Sequence, residues 1–445
     1  MREKTRQEND SAKQDKQSAF SVKAWIFYSW ADSAFALCIM AGFFPVLFRN
    51  YYLSPELVAD STAKLGFANG ISGIIAALLC PIFAAFIAQK DSRQKSLAIF
   101  TLLAVFATIL LFFVQGGQYY IALFLFIAAN IFYRLCGMCH DSLLPAVAVE
   151  KKRHRVSAIG FSAGYLGGAI IFILNIFMVS EPSFFGFDSS VSAAKFCILT
   201  AGLWWLVFSL PIFYAKIPRT PARSGDNESA FDSFWKNLKE TAVFAWKNPK
   251  IRMFLIAYWF YIDGVHSFVM MAADYGLSLG FSPERLMVSL LAVQLTAFPF
   301  AVIAGLAAQK FGARKILLSS IAIYAAITLS AAWTMNEEWQ FTMFAVLVGL
   351  VQGGIQSVSR SYFSLMIPGG KQTELFGLFN MLGRFAVATG PVLIAVCIII
   401  AQNLGFEGKT PQRIGISSLV LPFAIGFILL TRVRHGRLHR AQEAN

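Results

Sequence analysis

The candidate ionisable residues inside stretches otherwise too apolar to hold a charge are few: Asp32, Arg134, Asp141, Asp263, His266, Asp274 and Arg384. A charge near the middle of a lipid bilayer costs roughly 2.5 to 3.5 kcal/mol even on the lenient insertion scale, so each needs a partner or a use. At about 1.5 Å per helical residue, Asp32 and Arg384 lie roughly 12 Å from the basic ends of their helices, Arg134 about 15 Å and Asp263 about 18 Å. Similar depth permits the pairs Asp32 with Arg134 and Asp263 with Arg384. Two readings stay open. The pairs are permanent interhelical ion pairs, or they open, exchange partners with a zwitterionic or anionic small molecule, and let Asp32 or Asp263 take up a proton. Desolvation raises the pKa of a carboxylate toward working pH and a nearby Arg lowers it, so opening and closing a pair could link proton to cargo.

Other polar groups share these helices. His266 titrates near neutrality, and a plain polar lining role competes with a coupling one. Asn130, Arg134, Gly137 and Asp141 fall on one helical face, as do Trp259, Asp263, His266 and Met270. Gln352, Gln356 and Ser359 stand about a turn apart beside Gly353 and Gly354; such amides bind a ligand or pack helices equally well. Tyr28 and Asn380 join them as candidate lining groups. His140 and Asp141 sit near a basic loop, where contact with Lys152 or Arg153 is the plain expectation, and Asp274 is expected in water. Cys136 and Cys139 have C-x-x-C spacing, but no second pair of ligands completes a metal site, so packing is expected. There is no phosphate-binding loop and no identifiable nucleophile, so neither a catalytic residue nor a cofactor is expected.

The elements that must position these groups follow from composition. Of 445 residues, 57% are hydrophobic and only 14% charged, and the mean hydropathy is +0.60. Lipid is the expected solvent. A helix needs roughly 20 apolar residues to cross a bilayer, and the spacing predicts twelve spans: 24–48, 66–88, 97–114, 119–144, 157–179, 193–214, 251–275, 285–308, 316–335, 339–362, 376–402 and 414–432. The alternation of a membrane barrel is absent.

The formal net charge of +14 has a topological origin. Roughly 30 basic residues lie in the two tails and alternate loops, which fits the positive-inside rule and places both termini in the cytosol. A nucleic-acid partner is therefore not expected. Residues 1–23 lack an apolar h-region and are expected to be a disordered tail. Six-helix bundles are expected over 24–214 and 251–432. Between them, 215–250 forms a cytosolic linker whose second part has helical apolar spacing and reads as an interfacial helix, and 433–445 is a second tail.

An internal repeat supports two halves. Phe86-Ile-Ala-Gln-Lys-Asp-Ser-Arg-Gln-Lys95 follows the second span and Leu306-Ala-Ala-Gln-Lys-Phe-Gly-Ala-Arg-Lys315 the eighth. Leu144-Pro145 is echoed by Ile367-Pro368.

The stretch from Gly305 through Gln309, Lys310, Gly312 and Arg314 to Lys315 resembles the major facilitator signature loop. Gln309 and, in the first half, Gln89 replace its acidic residue, and Ala85 and Ser92 replace glycines. The resemblance implies cytosolic gate loops built from Gln89, Lys90, Arg93, Gln309, Lys310 and Arg314, with hydrogen bonding in place of a charge latch. A narrower resemblance, to the vacuole-effluxer-like branch, rests on several motifs. They are Tyr28-Ser-Trp-Ala-Asp-Ser-Ala-Phe35, Ser142-Leu-Leu-Pro145, Ser157-Ala-Ile-Gly-Phe161, Gly164-Tyr-Leu-Gly-Gly168, Tyr261-Ile-Asp-Gly-Val265 and Gly349-Leu-Val-Gln-Gly-Gly-Ile-Gln-Ser-Val-Ser-Arg-Ser361. Departures from the branch are Ser29 and Asp32 where Asp and Asn are usual, His140-Asp141 where Tyr-Asn is common, and His266 where Gln is common.

This resemblance implies an all-α membrane protein of the major facilitator fold, with the first, fourth, seventh and tenth helices lining a central cavity. It implies a monomeric, proton-coupled exporter of amino acids or similar small polar metabolites in a bacterial inner membrane. Efflux of a larger amphiphile such as a drug or siderophore, and a transport-dead sensor or scaffold, are the alternatives.

Overall fold

The computed structural model describes residues 19–56, 61–90, 92–218, 230–278, 281, 283–368 and 370–433. Apart from short turns they are helical. The twelve spans are α1 (Ala19–Tyr52), α2 (Ser61–Lys90), α3 (Arg93–Phe113), α4 (Tyr119–Val147), α5 (Arg153–Ser180) and α6 (Ser190–Tyr214). The second half has α7 (Pro249–Ser278), α8 (Pro283–Phe311), α9 (Ala313–Thr334), α10 (Glu338–Ser364), α11 (Gln372–Asn403) and α12 (Thr410–Thr431). A separate linker helix occupies Ala230–Lys247.

Most helices run a few residues past the apolar windows. Backbone hydrogen bonding continues into the interface after the side chains turn polar, as where α5 begins at Arg153. Two spans depart from a regular α-helix. Around Pro45, which cannot donate a backbone bond, α1 widens into π-helical segments at Phe35–Phe43 and Phe48–Tyr52. In α12 a turn separates Thr410–Ser417 from Val420–Thr431, just before Pro422.

The outward surface is a belt of apolar side chains, among them Phe106, Phe124 and Val392, each more than 60% exposed. Such a surface is stable only against lipid. The buried apolar residues separate into two clusters, one from Ala24 to Ala215 and one from Ala245 to Val433. Each six-helix half therefore has its own core. Across the middle the halves meet chiefly through α5 against α8 and α2 against α11.

Those crossings use small residues. A Cβ at Gly305 of α8 would collide with the Ala158 methyl of α5, and one at Gly377 of α11 would lie 2.5 Å from the Ala84 methyl of α2. Backbones can approach this closely only where one side has no side chain. The second glycine of the repeated loop, Gly312, has φ +92, a left-handed conformation open to glycine. Ser92, its counterpart in the first half, has φ −100 and needs no glycine.

Candidate functional site

Between the halves lies a cavity of about 530 Å³. It runs from the centre of the bundle toward the end opposite the basic loops, where Tyr275, Met335, Phe341 and Ile416 line it. Helices α1, α4, α7 and α10 contribute Asp32, Asp141, His266 and Gln352 respectively, with α5, α8 and α11 filling the gaps. The outer walls are mainly apolar. The polar groups gather on the floor.

Arg360 of α10 organises that floor. Its Nη1 donates to Asp141 Oδ1 of α4 at 3.0 Å, Nε to Ser157 Oγ of α5 at 3.0 Å, and Nη2 to the Ser157 carbonyl at 3.1 Å. The guanidinium lies over the rings of Trp25 and Phe161, at 4.7 and 4.3 Å. Asn380 Nδ2 of α11 donates to the second Asp141 oxygen at 3.2 Å. Asp141 and Ser157 belong to the first half, Arg360 and Asn380 to the second, so this knot ties the halves together. Arg360 is only 5% exposed, and a buried guanidinium survives because donors and ring faces are occupied together.

Sequence reasoning passed over Arg360, because a span ending at 362 puts it beside the interface. It also expected Asp141 to meet Lys152 or Arg153; that expectation is corrected by the bonds to Arg360 and Asn380. Arg153 Nη1 instead donates to the Ser364 carbonyl at 3.0 Å. The signal available in the sequence was an arginine framed by Ser357, Ser359 and Ser361, small residues that permit close helix approach.

Other expected residues are dispersed. Asp32 lines the cavity, and the charges that reach it are those of Arg360 and Asp141. Its expected partner Arg134 is buried elsewhere on α4, outside the cavity lining. The Asp32–Arg134 pair is thus not formed among the described residues. Asn130 is also off the lining and donates to the Phe126 carbonyl at 3.0 Å. Tyr28 turns into the first half, bonding Thr101 at 2.8 Å. Gln352, Gln356, Asn380 and His266 all line the cavity, and Tyr165 donates to Gln356 Oε1 at 3.3 Å.

Asp263 is buried and sits outside the lining. Its Oδ1 accepts from the Gly390 backbone N–H at 2.9 Å and from Ser267 Oγ at 3.3 Å. Gly390 precedes Pro391, where α11 loses a backbone donor, so Asp263 braces α7 against that weak point. The side chains of Arg384 and Asp274 lie outside the described residues, as do those of Gln89 and Lys90.

His140 lines the floor beneath Asp32. Its ring stacks on Trp25 at 4.3 Å, and its Nε2, facing a carbonyl that can only accept, donates to Trp25 O at 2.9 Å. Trp25 Nε1 returns a bond to the His140 carbonyl at 2.8 Å. These two bonds lock α1 to α4 inside the first half.

Below the floor, toward the basic loops, further bonds cross between halves. His154 Nδ1 lies 2.6 Å from Ser361 Oγ, Ser157 Oγ donates to Ser357 O at 2.9 Å, and Gln309 Nε2 donates to Lys151 O at 2.9 Å. Gln309 stands where the signature acid would be and makes a neutral hydrogen bond. Arg314 bonds within its own half, to the carbonyls of Leu430 and Thr431. Lys310 lies over the neighbouring Phe311 ring at 5.3 Å. Arg93 Nη1 donates to the Ser142 carbonyl at 3.3 Å, within the first half. The bundle is closed at the basic end and open at the other.

Comparison with known proteins agrees with this geometry. The family described as vacuole effluxer Atg22 like matches residues 56–443. An uncharacterized MFS-type transporter of Bacillus subtilis, YxiO, is 32% identical over 92% of this chain and 94% of its own length. Autophagy-related protein 22 of Kluyveromyces lactis is 22% identical over 88% of this chain and 90% of its own. Among solved structures, the human organic anion transporter MFSD10 superposes with a TM-score of 0.69 at 13% identity, covering 93% of this chain and 99% of that one. A bacterial ferroportin homologue in an outward-facing state gives 0.64 at 14% identity, covering 94% and 99%. These last two likenesses concern the fold. The chain is a multi-pass membrane transporter of major facilitator architecture and belongs to the vacuole effluxer Atg22-like family.

Proposed function

We propose that this transporter works by alternating access, exporting amino acids or similar small metabolites in exchange for protons. The observation that carries this reading is a cavity between two separately cored halves, sealed at one end by bonds that run only between the halves. Breaking those bonds lets the halves rock about the floor and expose it to the other side. With the basic loops in the cytosol of a bacterial cell and the protein in its inner membrane, the present state is open outward. The Bacillus relative supports that location. A single chain encloses the whole cavity, so a monomer suffices.

Asp32 is the better coupling carboxylate, because it faces the cavity, whereas Asp263 is engaged by Gly390 and Ser267. A second reading, efflux of a larger amphiphile, is favoured by the apolar outer walls.

The test is uptake of a labelled amino-acid panel into proteoliposomes, with and without a proton gradient, for wild type, Asp32→Asn and Asp263→Asn. Gradient-driven flux in wild type that falls to passive exchange in Asp32→Asn supports the reading. No flux of any amino acid removes that cargo class, and driven flux in Asp32→Asn removes the role of Asp32.

A further inference from the structure

We infer that the cavity recognises its cargo through a protonated amine, with Asp32 and the Gln352 side-chain oxygen receiving an organic ammonium head and the outer walls receiving an apolar tail. The inference rests on the transporter reading and narrows its substrate class.

The charge balance comes first. Among the described residues, the fixed charges lining the cavity are Asp32, Asp141 and Arg360. Asp141 and Arg360 pair at 3.0 Å, so with two carboxyl groups against one guanidinium, Asp32 is the acidic lining group left without a paired cation among the described residues. Among the described residues the Asp32 carboxylate has only its own backbone N–H as a hydrogen-bond donor, and no other side chain bonds or ion-pairs with it. A desolvated carboxylate without a counter-ion is costly, and a cationic ligand relieves that cost.

The remaining hydrogen-bonding capacity points the same way. Gln352 lines the cavity, and its buried Oε1 has no hydrogen-bond partner among the described residues. An ammonium carries three donors and needs acceptors; Asp32 and Gln352 supply them. A carboxylate ligand would need Arg360, but three of its N–H groups are committed and two aromatic rings lie against it. Capturing a carboxylate there would first require breaking the knot that closes the basic end.

Above this head site the lining is mainly apolar, including Leu290, Val293, Phe344 and Val348, with Ser289 and Gln294 among them. The rings of Tyr133, Tyr165 and Tyr258 stand around the floor, where a π-face is compatible with a cation and adds nothing for an anion. The volume of about 530 Å³ lies within the usual range for small-molecule sites.

Equilibrium binding to the full-length protein in lipid nanodiscs tests this, using phenethylamine, phenylacetate and phenylalanine as probes of one ring size. Phenethylamine is expected to bind roughly tenfold or more tightly than phenylacetate, and Asp32→Asn to weaken the amine by a similar factor with little change for phenylacetate. Asp32→Glu, which keeps the charge, is expected to retain most of the affinity. If Asp32→Asn does not yield monodisperse protein, the ligand ranking on wild type and the loss of amine affinity in Gln352→Met carry the test. Equal or tighter binding of phenylacetate, no amine binding by wild type, or amine binding indifferent to both substitutions overturns the inference. Counterflow of labelled phenylalanine in proteoliposomes separates the two levels. Flux without amine preference keeps the transporter reading and removes this one, while amine binding without counterflow of any probe does the reverse.

Discussion

Arg360 Nη1 lies 3.0 Å from Asp141 Oδ1, joining α10 of one half to α4 of the other. With side chains 6% and 14% exposed, the pair is desolvated enough that removing one partner strands the other. Such stranding typically costs about 3–5 kcal/mol. Part of this cost can be escaped by leaving the closed state, because opening the basic end rehydrates the remaining group. Asp141→Asn is therefore expected to shift the population toward the basic-end-open state. A reporter cysteine at the buried Ser357, in a background without the six native cysteines, should be alkylated several-fold faster in Asp141→Asn than in its parent. Unchanged alkylation would mean that the pair does not hold the gate.

A second lever on the same equilibrium involves no charge. The Cβ added by Gly305→Ala would meet the Ala158 methyl and the His154 carbonyl oxygen, the latter at 3.1 Å. Neither neighbour is the far end of a flexible chain, so the helices must separate. Overpacking of this kind costs about 1–3 kcal/mol, paid only while the basic end is closed. Gly305→Ala should increase alkylation at Ser357→Cys in the same direction as Asp141→Asn. The control is Gly312→Ala, whose Cβ meets nothing within 4 Å but whose φ of +92 is strained; it should lower thermal stability without opening the gate.

Asp263 and Asp32 should separate cleanly. Asp263 Oδ1 bonds the Gly390 N–H and Ser267 hydroxyl, and an asparagine oxygen can accept both. Asp263→Asn is expected to keep gradient-driven flux within about twofold, whereas Asp263→Ala leaves a buried donor unmet and should lose roughly 1–3 kcal/mol of stability. Thermal unfolding in detergent, alongside flux, distinguishes this bracing role from proton carriage. A collapse of driven flux in a well-folded Asp263→Asn would return coupling to Asp263.

Much of the architecture was legible because the bilayer imposes it. Apolar runs of about 20 residues must be spans, and the repeat around Gln89 and Gln309 gave the halves. The site was less legible. Asp32, His266, Gln352, Gln356 and Asn380 were placed on the cavity by helical phase and resemblance. Phase failed for Arg134 and Asn130, which are buried off the cavity lining, since the angular width of a cavity is set by neighbouring helices. The decisive partner of Asp141 was missed because Arg360 lies 219 positions away. No local pattern announces that two helix ends will close over a charge.

The pH dependence of cargo binding follows from the same floor. An ammonium and a proton compete for Asp32, so amine affinity should be greatest where Asp32 is ionised and fall as pH drops through its titration. The charged groups acting on Asp32 are Arg360 on α10 and Asp141 on α4, and the titratable Tyr28 of α1 and Cys136 of α4 also lie within its reach. In the limit of pure competition, apparent affinity falls about tenfold per pH unit below the titration point. Asp32→Asn should bind amines weakly and with a flat profile over the same range. Calorimetry in two buffers of different ionisation enthalpy adds a second reading: near the titration point, amine binding by wild type should release up to about one proton, and by Asp32→Asn none. Proton release that persists in Asp32→Asn would assign the competition to another group, with His266 the next candidate on the lining.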